Sequence, residues 1–506
     1  MTTDAPTAAA PTRLRRVWLP RLLALVLGGG IAAALYVPAR SWLASRETAT
    51  EKAAIETRNQ TIEESRSDLF KPSSGPPYAL RPKIHAGARL ETDSLGLRSP
   101  ELAEEKKLKR ILVLGDSFAY GFGLKEGEPF SHVLSRRLLG VAEVANAAVS
   151  GYQIQDIAAQ YLRVAGAVKP DLVIVTFVNN DLNDSEDIDE KGNVTGMPLS
   201  RLPDGCYAGD ANLQRIGYAS WLRGVDLTRF MRVQYAGNEW LWRSVGPFAR
   251  GRWKRYEAEL ARIRDDAKAR GARVVMFSFY PRQLGLLEAC AHLDVPYFDL
   301  ADTLDIGAKK NQLEWDAHPN AASNRHFAER ILRAIAWTKV VAVPGVEPLE
   351  PETLTPELAA TLERESEKYA RTELASWIAF DTGAKPGRLG QLVGGIEDRN
   401  GLLGARAVAL LFSPKKDPKL RIQATAQGCA PPRTLEVRLG GVDAATPFEL
   451  TGARSQIVID VPDAALERIE GGCIVEVDVR DPAVAGAPPA EKRKACCARM
   501  VRLELE

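Results

Sequence analysis

The chain is predicted to fold as a three-layer α/β domain with a parallel sheet, followed by a small β-sandwich. Three observations predict this. Between residues 110 and 335, apolar β-rich runs alternate with amphipathic helical stretches, an order that demands crossover connections. After Trp337 the pattern changes to short alternating runs separated by Gly- and Pro-bearing turns. Between the two, Val343–Pro356 carries four prolines and several glutamates, the signature of a linker. A length of 506 residues also exceeds what one core serves and points to two or three domains. The 67 basic and 65 acidic residues leave a net charge of +2, which argues against a nucleic-acid partner.

At the amino terminus, Arg13, Arg15, Arg16 and Arg21 precede an apolar run from Leu22 to Val37. Counted from Val17, with Arg21 snorkelling to the headgroups, the run reaches the length of about 20 residues that a bilayer requires. The basic cluster comes first, so residues 1–16 are expected inside, 17–40 as a transmembrane anchor, and the rest outside. A signal peptide cleaved near Ala32-Ala33-Ala34, giving a secreted protein, is the alternative. Residues 41–89 read as a charged stalk and a Pro- and Gly-rich lead-in.

The α/β domain is assigned to residues 90–340. Its strands are expected at Arg110–Leu114, Glu143–Ala147, Asp171–Phe177, Ala272–Phe279 and Pro296–Leu300. Helices are expected at Pro129–Leu139, Ile154–Gly166, Trp253–Arg270 and Asn320–Ile335, where apolar residues recur at helical spacing. Leu182–Arg252 is a long insertion whose segment Tyr218–Arg243 reads as helical, either capping the active-site end or merely decorating the domain. Beyond the linker (341–356), residues 357–506 begin with a helix, Pro356–Leu374. Strands then follow at Ala407–Phe412, Leu420–Ala424, Leu435–Leu439, Gln456–Val461, Ile474–Val479 and Val501–Leu505. Of the six cysteines, Cys429, Cys473, Cys496 and Cys497 fall in this last part, where disulfides are expected with no readable pairing. Cys206 and Cys290 lie mid-chain, and no cysteine has zinc-site spacing.

The chemistry starts in Gly115-Asp116-Ser117, directly after the first strand. Open α/β sheets bind ligands outside the carboxyl ends of their strands, so Ser117 is a candidate nucleophile. A serine needs a base and an oxyanion stabiliser. Among five histidines, only His318 occupies a loop directly before a helix at the end of the α/β domain, in Trp315-Asp316-Ala317-His318-Pro319-Asn320. Residues two apart in an extended segment face the same way, so Asp316 is the candidate to orient the imidazole. The plain alternative is a structural histidine beside a turn. Oxyanion donors are sought in the Ser117 backbone, in Gly151 after the second strand, and in Asn180 after the third, where an ordinary Asx turn is the alternative.

Ser117, Gly151, Asn180 and His318, in that order, resemble the signature blocks of the SGNH (GDSL-type) hydrolase superfamily. The resemblance spans roughly residues 90–340 and implies a flavodoxin-like α/β/α domain. It also implies serine-dependent hydrolysis or transfer of acyl groups, often acetyl esters on carbohydrates, without metal or cofactor. Val178 stands where the third block usually has Gly, and Trp315 where the last block usually has Asp, leaving Asp316, Glu314 or a backbone carbonyl to orient the ring. The anchor-plus-domain layout is similar to that of exported alginate acetylation proteins and related polysaccharide O-acetyltransferases, which implies periplasmic placement and partner proteins of an envelope polysaccharide system. The expected function is therefore that of a membrane-anchored serine esterase or O-acyltransferase acting on an O-acylated carbohydrate or small ester. The alternative is a catalytically vestigial glycan-binding or assembly protein.

Overall fold

In a computed structural model, the described residues are 69–85, 90–182, 243, 247–314, 318–373, 377–379, 391–396, 403–426, 433–440, 442, 444–451, 454–469, 471–485 and 498–506. The expected anchor, the stalk, nearly all of the insertion, Trp315-Asp316-Ala317, Cys206, Cys429, Cys496 and Cys497 lie outside them. All described residues belong to one compact unit, Ser65–Glu506. Among them no helix is long and apolar enough to cross a membrane.

A short hairpin comes first, β1 (Phe70–Pro72) against β2 (Tyr78–Leu80). Five parallel strands then form the central sheet: β3 (Lys109–Leu114), β4 (Ala142–Asn146), β5 (Leu172–Phe177), β6 (Arg273–Ser278) and β7 (Tyr297–Asp299). Their spatial order is β4-β3-β5-β6-β7, the doubly wound 2-1-3-4-5 arrangement of flavodoxin-like folds. Every residue of β5, and all of β3 and β6 except the first, is buried. Strands covered on both faces are predominantly apolar, which is why their centres read as near-continuous runs.

The helices are α1 (Ser117–Tyr120), α2 (Phe130–Arg137), α3 (Ile154–Val168), α4 (Pro247–Ala269), α5 (Leu284–His292) and α6 (Ala321–Thr338). The chain steps one way from β3 to β4 and then back past β3 to β5. Right-handed crossovers therefore place α2 and α3 on opposite faces. Accordingly α2 packs on α6, while α3 packs on α4 and α4 on α5. Helix α4 begins six residues earlier than the Trp253 expected from periodicity.

The expected linker is extended but fastened to the domain. Glu352 bridges to Tyr297 of β7, Leu349 N–H donates to Arg333 O at 3.1 Å, and Trp337 Nε1 donates to Glu350 at 2.7 Å. After α7 (Pro356–Glu373) the chain forms two antiparallel sheets. One comprises β9 (Gln391–Ile396), β10 (Leu403–Ser413), β12 (Arg433–Leu439), β13 (Thr446–Leu450), β15 (Glu467–Ile469) and β16 (Gly472–Arg480). The other comprises β8 (Trp377–Ala379), β11 (Lys419–Thr425), β14 (Ser455–Asp460) and β17 (Arg499–Leu505). Their facing residues, among them Leu411, Ile422, Leu435, Val477 and Leu503, form a core of their own. Cys473 is a free, buried thiol whose Sγ donates to Lys415 O at 3.4 Å.

Candidate active site

Ser117 opens α1 at the carboxyl end of β3, beside the point where strand order reverses between β3 and β5. The turn into it is tight. Gly115 has φ +157°, and a Cβ there would stand 2.0 Å from Thr176 Oγ1 and 2.8 Å from the Ala119 methyl, so β5 leaves room for hydrogen alone. Asp116 caps α1, accepting from Phe118 N–H at 3.0 Å.

His318 arrives from the far end of the domain. A bridge between Gln312 and Pro319 and the bond from Leu313 N–H to His318 O (2.8 Å) hold its loop against the strap before α6. Asn320 caps α6 by accepting from Ser323 N–H at 3.1 Å. The imidazole lies between two rings, with centroids 5.2 Å from Phe118 and 4.7 Å from Phe122. That packing leaves Nε2 at 2.7 Å from Ser117 Oγ. The other histidines are elsewhere: His132 pairs with Glu126, His292 with Glu257 and His85 with Glu91, while His326 meets Thr303 Oγ1 at 2.8 Å. Asp316 lies outside the described residues.

Gly151 sits in the turn after β4 with φ +88°. Its loop is tied to the nucleophile turn by Val149 N–H donating to Gly115 O at 3.2 Å. Among the described residues, neither the Ser117 nor the Gly151 N–H meets an acceptor. Asn180 lies in the single 3₁₀ turn Asn179–Leu182 after β5 and donates from Nδ2 to Asp116 Oδ2 at 3.3 Å. The turn's own cap is Asp181, which accepts from Val178 N–H, three residues back, at 3.0 Å; that is not the bond to the N–H two residues ahead that an Asx turn makes.

Two carboxylates are thus buried side by side. Burial pushes both upward in pKa, Asp181 well above the ordinary range with the nearby Asp116 charge adding to it. Asp116 Oδ1 receives the Phe118 N–H and Oδ2 receives Asn180 Nδ2, while Ser117 Oγ stands 3.1 Å from Oδ2 with its single proton shared between that oxygen and the nearer His318 Nε2. Asp181 Oδ1 meets no donor. Asp116 meets more hydrogen-bond donors than Asp181, and burial raises Asp181 further. Sequence reasoning singled out neither Asp116 as a contact of Asn180 nor the two phenylalanines that grip the imidazole. The only signal was the Asp inside Gly-Asp-Ser itself. Among the described residues no cluster of side chains suited to a metal ion occurs.

A doubly wound sheet with a Ser–His contact at its switch point defines a serine-hydrolase type of α/β domain. Residues 113–326 match the family model of the GDSL-like lipase/acylhydrolase family, and this part of the chain is a domain of that family. A comparison with curated proteins gives no match. Among solved structures, the chain is similar to TesA (16% identity, 46% of this chain and 98% of that one, TM-score 0.28). It is also similar to the psychrotrophic esterase EstA from Pseudoalteromonas sp. (12%, 46% and 99%, TM-score 0.29). A third is a catalytic mutant of Axe2, an acetylxylan esterase from Geobacillus stearothermophilus (16%, 46% and 96%, TM-score 0.27).

Proposed function

We propose that this protein is a serine-dependent esterase that hydrolyses or transfers acyl groups, chiefly O-acetyl groups, on a carbohydrate or cell-envelope glycan. The reading rests on the 2.7 Å contact between His318 Nε2 and Ser117 Oγ at the switch point of a GDSL-family domain. Neutral His318 takes the Ser117 proton as Oγ attacks the acyl carbonyl, forming a tetrahedral oxyanion. The N–H groups of Ser117 and Gly151 and the Asn180 amide stabilise that charge. Protonated His318 then hands its proton to the leaving alkoxide. Water, or a sugar hydroxyl in a transferase, attacks the acyl-serine with His318 again as base. Asp316 is proposed to hold the imidazole from its Nδ1 side. The carbohydrate assignment follows from what the family resemblance implies, and the extracytoplasmic, membrane-anchored placement from the run at residues 17–40.

Ser117→Ala and His318→Ala are each expected to reduce p-nitrophenyl acetate hydrolysis by at least ~10³-fold, with the melting temperature unchanged. Activity at the wild-type level in Ser117→Ala would sink the proposal. A fluorophosphonate probe should label the protein at Ser117, whereas a folded protein that takes up no label would be a binding or assembly protein.

A further inference from the structure

Ser150 and Gly151 share one peptide group, so the carbonyl of the first and the N–H of the second point in opposite directions across a planar trans bond. That group is the middle peptide of a turn closed by Tyr152 N–H donating to Val149 O at 3.3 Å. With φ +88° at Gly151 and no positive φ at Ser150, the turn is of type II. Types I and II differ by a rotation of the middle peptide of roughly 150–170°, which exchanges the places of its C=O and N–H. The carbonyl is held from outside the turn, where the Tyr78 hydroxyl donates to Ser150 O at 2.9 Å. Tyr78 is buried in β2, and its ring packs edge-on against Tyr152 and Phe70, with centroids 5.2 and 5.4 Å away. Its own carbonyl accepts from the Tyr152 hydroxyl, which fastens the hairpin to the turn. On the other side of the Ser150–Gly151 peptide, the Gly151 N–H meets no acceptor among the described residues, although Gly151 is buried. A buried N–H left open is costly and rare, and an incoming negative oxygen would satisfy it.

We propose that Tyr78 is a positioning residue that locks the Ser150–Gly151 peptide in its type II orientation, and thereby keeps the Gly151 N–H turned to the oxyanion formed at Ser117. This inference rests on the esterase reading above. Val149 N–H on Gly115 O (3.2 Å) places the turn beside the nucleophile, and Gln153 Nε2 on Gly151 O (3.1 Å) holds the peptide that follows. Neither bond touches the middle peptide, so resistance to its rotation comes from the Tyr78 hydroxyl. Tyr78 lies before the residues 113–326 matched by the family model, so the turn is held by a segment outside that match. A purely structural role, as a core aromatic between Phe70 and Tyr152, would use the ring alone.

Hydroxyl and ring separate by substitution. Tyr78→Phe keeps the ring and removes the donor. Losing one neutral hydrogen bond should shift the orientation of the peptide, and lower kcat for p-nitrophenyl acetate, by about 3- to 10-fold with KM unchanged. That is less than the factor of about 10²–10³ for removing an oxyanion donor outright. A tyrosine that only packs would lower the melting temperature and leave kcat of the folded enzyme at the wild-type value, and that result would overturn the proposal. Gly151→Ala acts on the same peptide from its other end, because an L side chain disfavours φ +88° at the third position of a type II turn. Adding Tyr78→Phe to Gly151→Ala should therefore lower kcat no further, and independent, multiplying losses would also overturn the proposal. Should Tyr78→Phe fail to fold, 4-fluorophenylalanine at position 78 fills the space of the hydroxyl without donating. The same kcat loss is expected there, and wild-type kcat would again be fatal. If Ser117→Ala retains full activity, the esterase reading falls and this one with it. If Ser117→Ala is inactive and Tyr78→Phe turns over like the wild type, only the role of Tyr78 falls.

Discussion

At the scale of single residues, the site depends on two buried carboxylates that cannot both ionise cheaply. Asp181 is raised well above the ordinary carboxylate range, first by burial and then by the Asp116 charge. A carboxyl raised in the folded state contributes stability that is complete below its unfolded pKa. That contribution is lost as pH climbs through the raised folded value. Asp181→Asn keeps an oxygen to accept from Val178 N–H and abolishes the titration. The variant is expected to melt at a higher temperature than the wild type at about pH 9, with the gap narrowing steadily toward about pH 5. Equal pH slopes for the two proteins would contradict the upward shift of the Asp181 carboxyl. The residue scale is also where the sequence was least legible. Ser117, Gly151 and Asn180 announce themselves by their positions after strands, and His318 by its loop directly before a helix. Asp116, by contrast, gains its meaning from Asn180, 64 positions away, and no local pattern records that contact. The grip of Phe118 and Phe122 on the imidazole is equally non-local, since aromatic residues near a turn read as ordinary core.

At the scale of elements, legibility followed burial. Strands β3, β5 and β6 were readable to within a residue or so at their ends because both faces are covered and their central positions form apolar runs. Helix α5 was harder, since Leu284, Leu286, Leu287, Ala289 and Cys290 are all buried and leave no polar stripe to set a period. Strand β13 escaped notice because it is short and carries Pro447. An edge strand tolerates such a proline, and β13 pairs only with β12. The α4–α5 contact yields a sharp test. Gly285 lies under the indole of Trp253, and a Cβ there would come within 2.6 Å of the ring. That ring is itself confined by Phe177 and Tyr256, with centroids 5.9 Å from each. Alanine gains up to about 1 kcal/mol in helix propensity, but overpacking costs about 1–3 kcal/mol. With the ring unable to retreat, Gly285→Ala should destabilise by about 1–2 kcal/mol in chemical denaturation. A stabilised variant would mean that the indole moves freely.

At the scale of the whole molecule, strand alternation shows how the β-sandwich is joined to the hydrolase domain. In the β10–β16 ladder Leu410 faces Glu476, and Phe412 faces Ile474. Ala409, Leu411, Val475 and Val477 point into the sandwich core. The opposite face carries Val408, Leu410 and Ile474, and these belong to the hydrophobic cluster of the α/β domain, with Phe412, Leu358 and Leu362 packed against it. Burying both faces also explains why Asp478 is almost fully covered. Arg406 holds it in a two-pronged pair at 3.0 and 2.8 Å, and Arg480 adds two more bonds at 3.1 and 2.8 Å. A contiguous core of this kind couples the two parts, so loss of packing on one side is felt on the other. Ile474→Ala should cost about 2–5 kcal/mol, as expected for a buried large-to-small change. The wild-type protein should melt in one calorimetric transition, and Ile474→Ala should move that whole transition downward. Independent domains would instead give two transitions, with the substitution shifting only the one that belongs to the sandwich. Followed by p-nitrophenyl acetate hydrolysis during heating, activity in Ile474→Ala should vanish at the lowered melting temperature, although Ile474 lies outside the Ser117–His318 site. Retention of activity up to the wild-type temperature would show that the sandwich unfolds alone and that the shared core carries little of the hydrolase domain's stability.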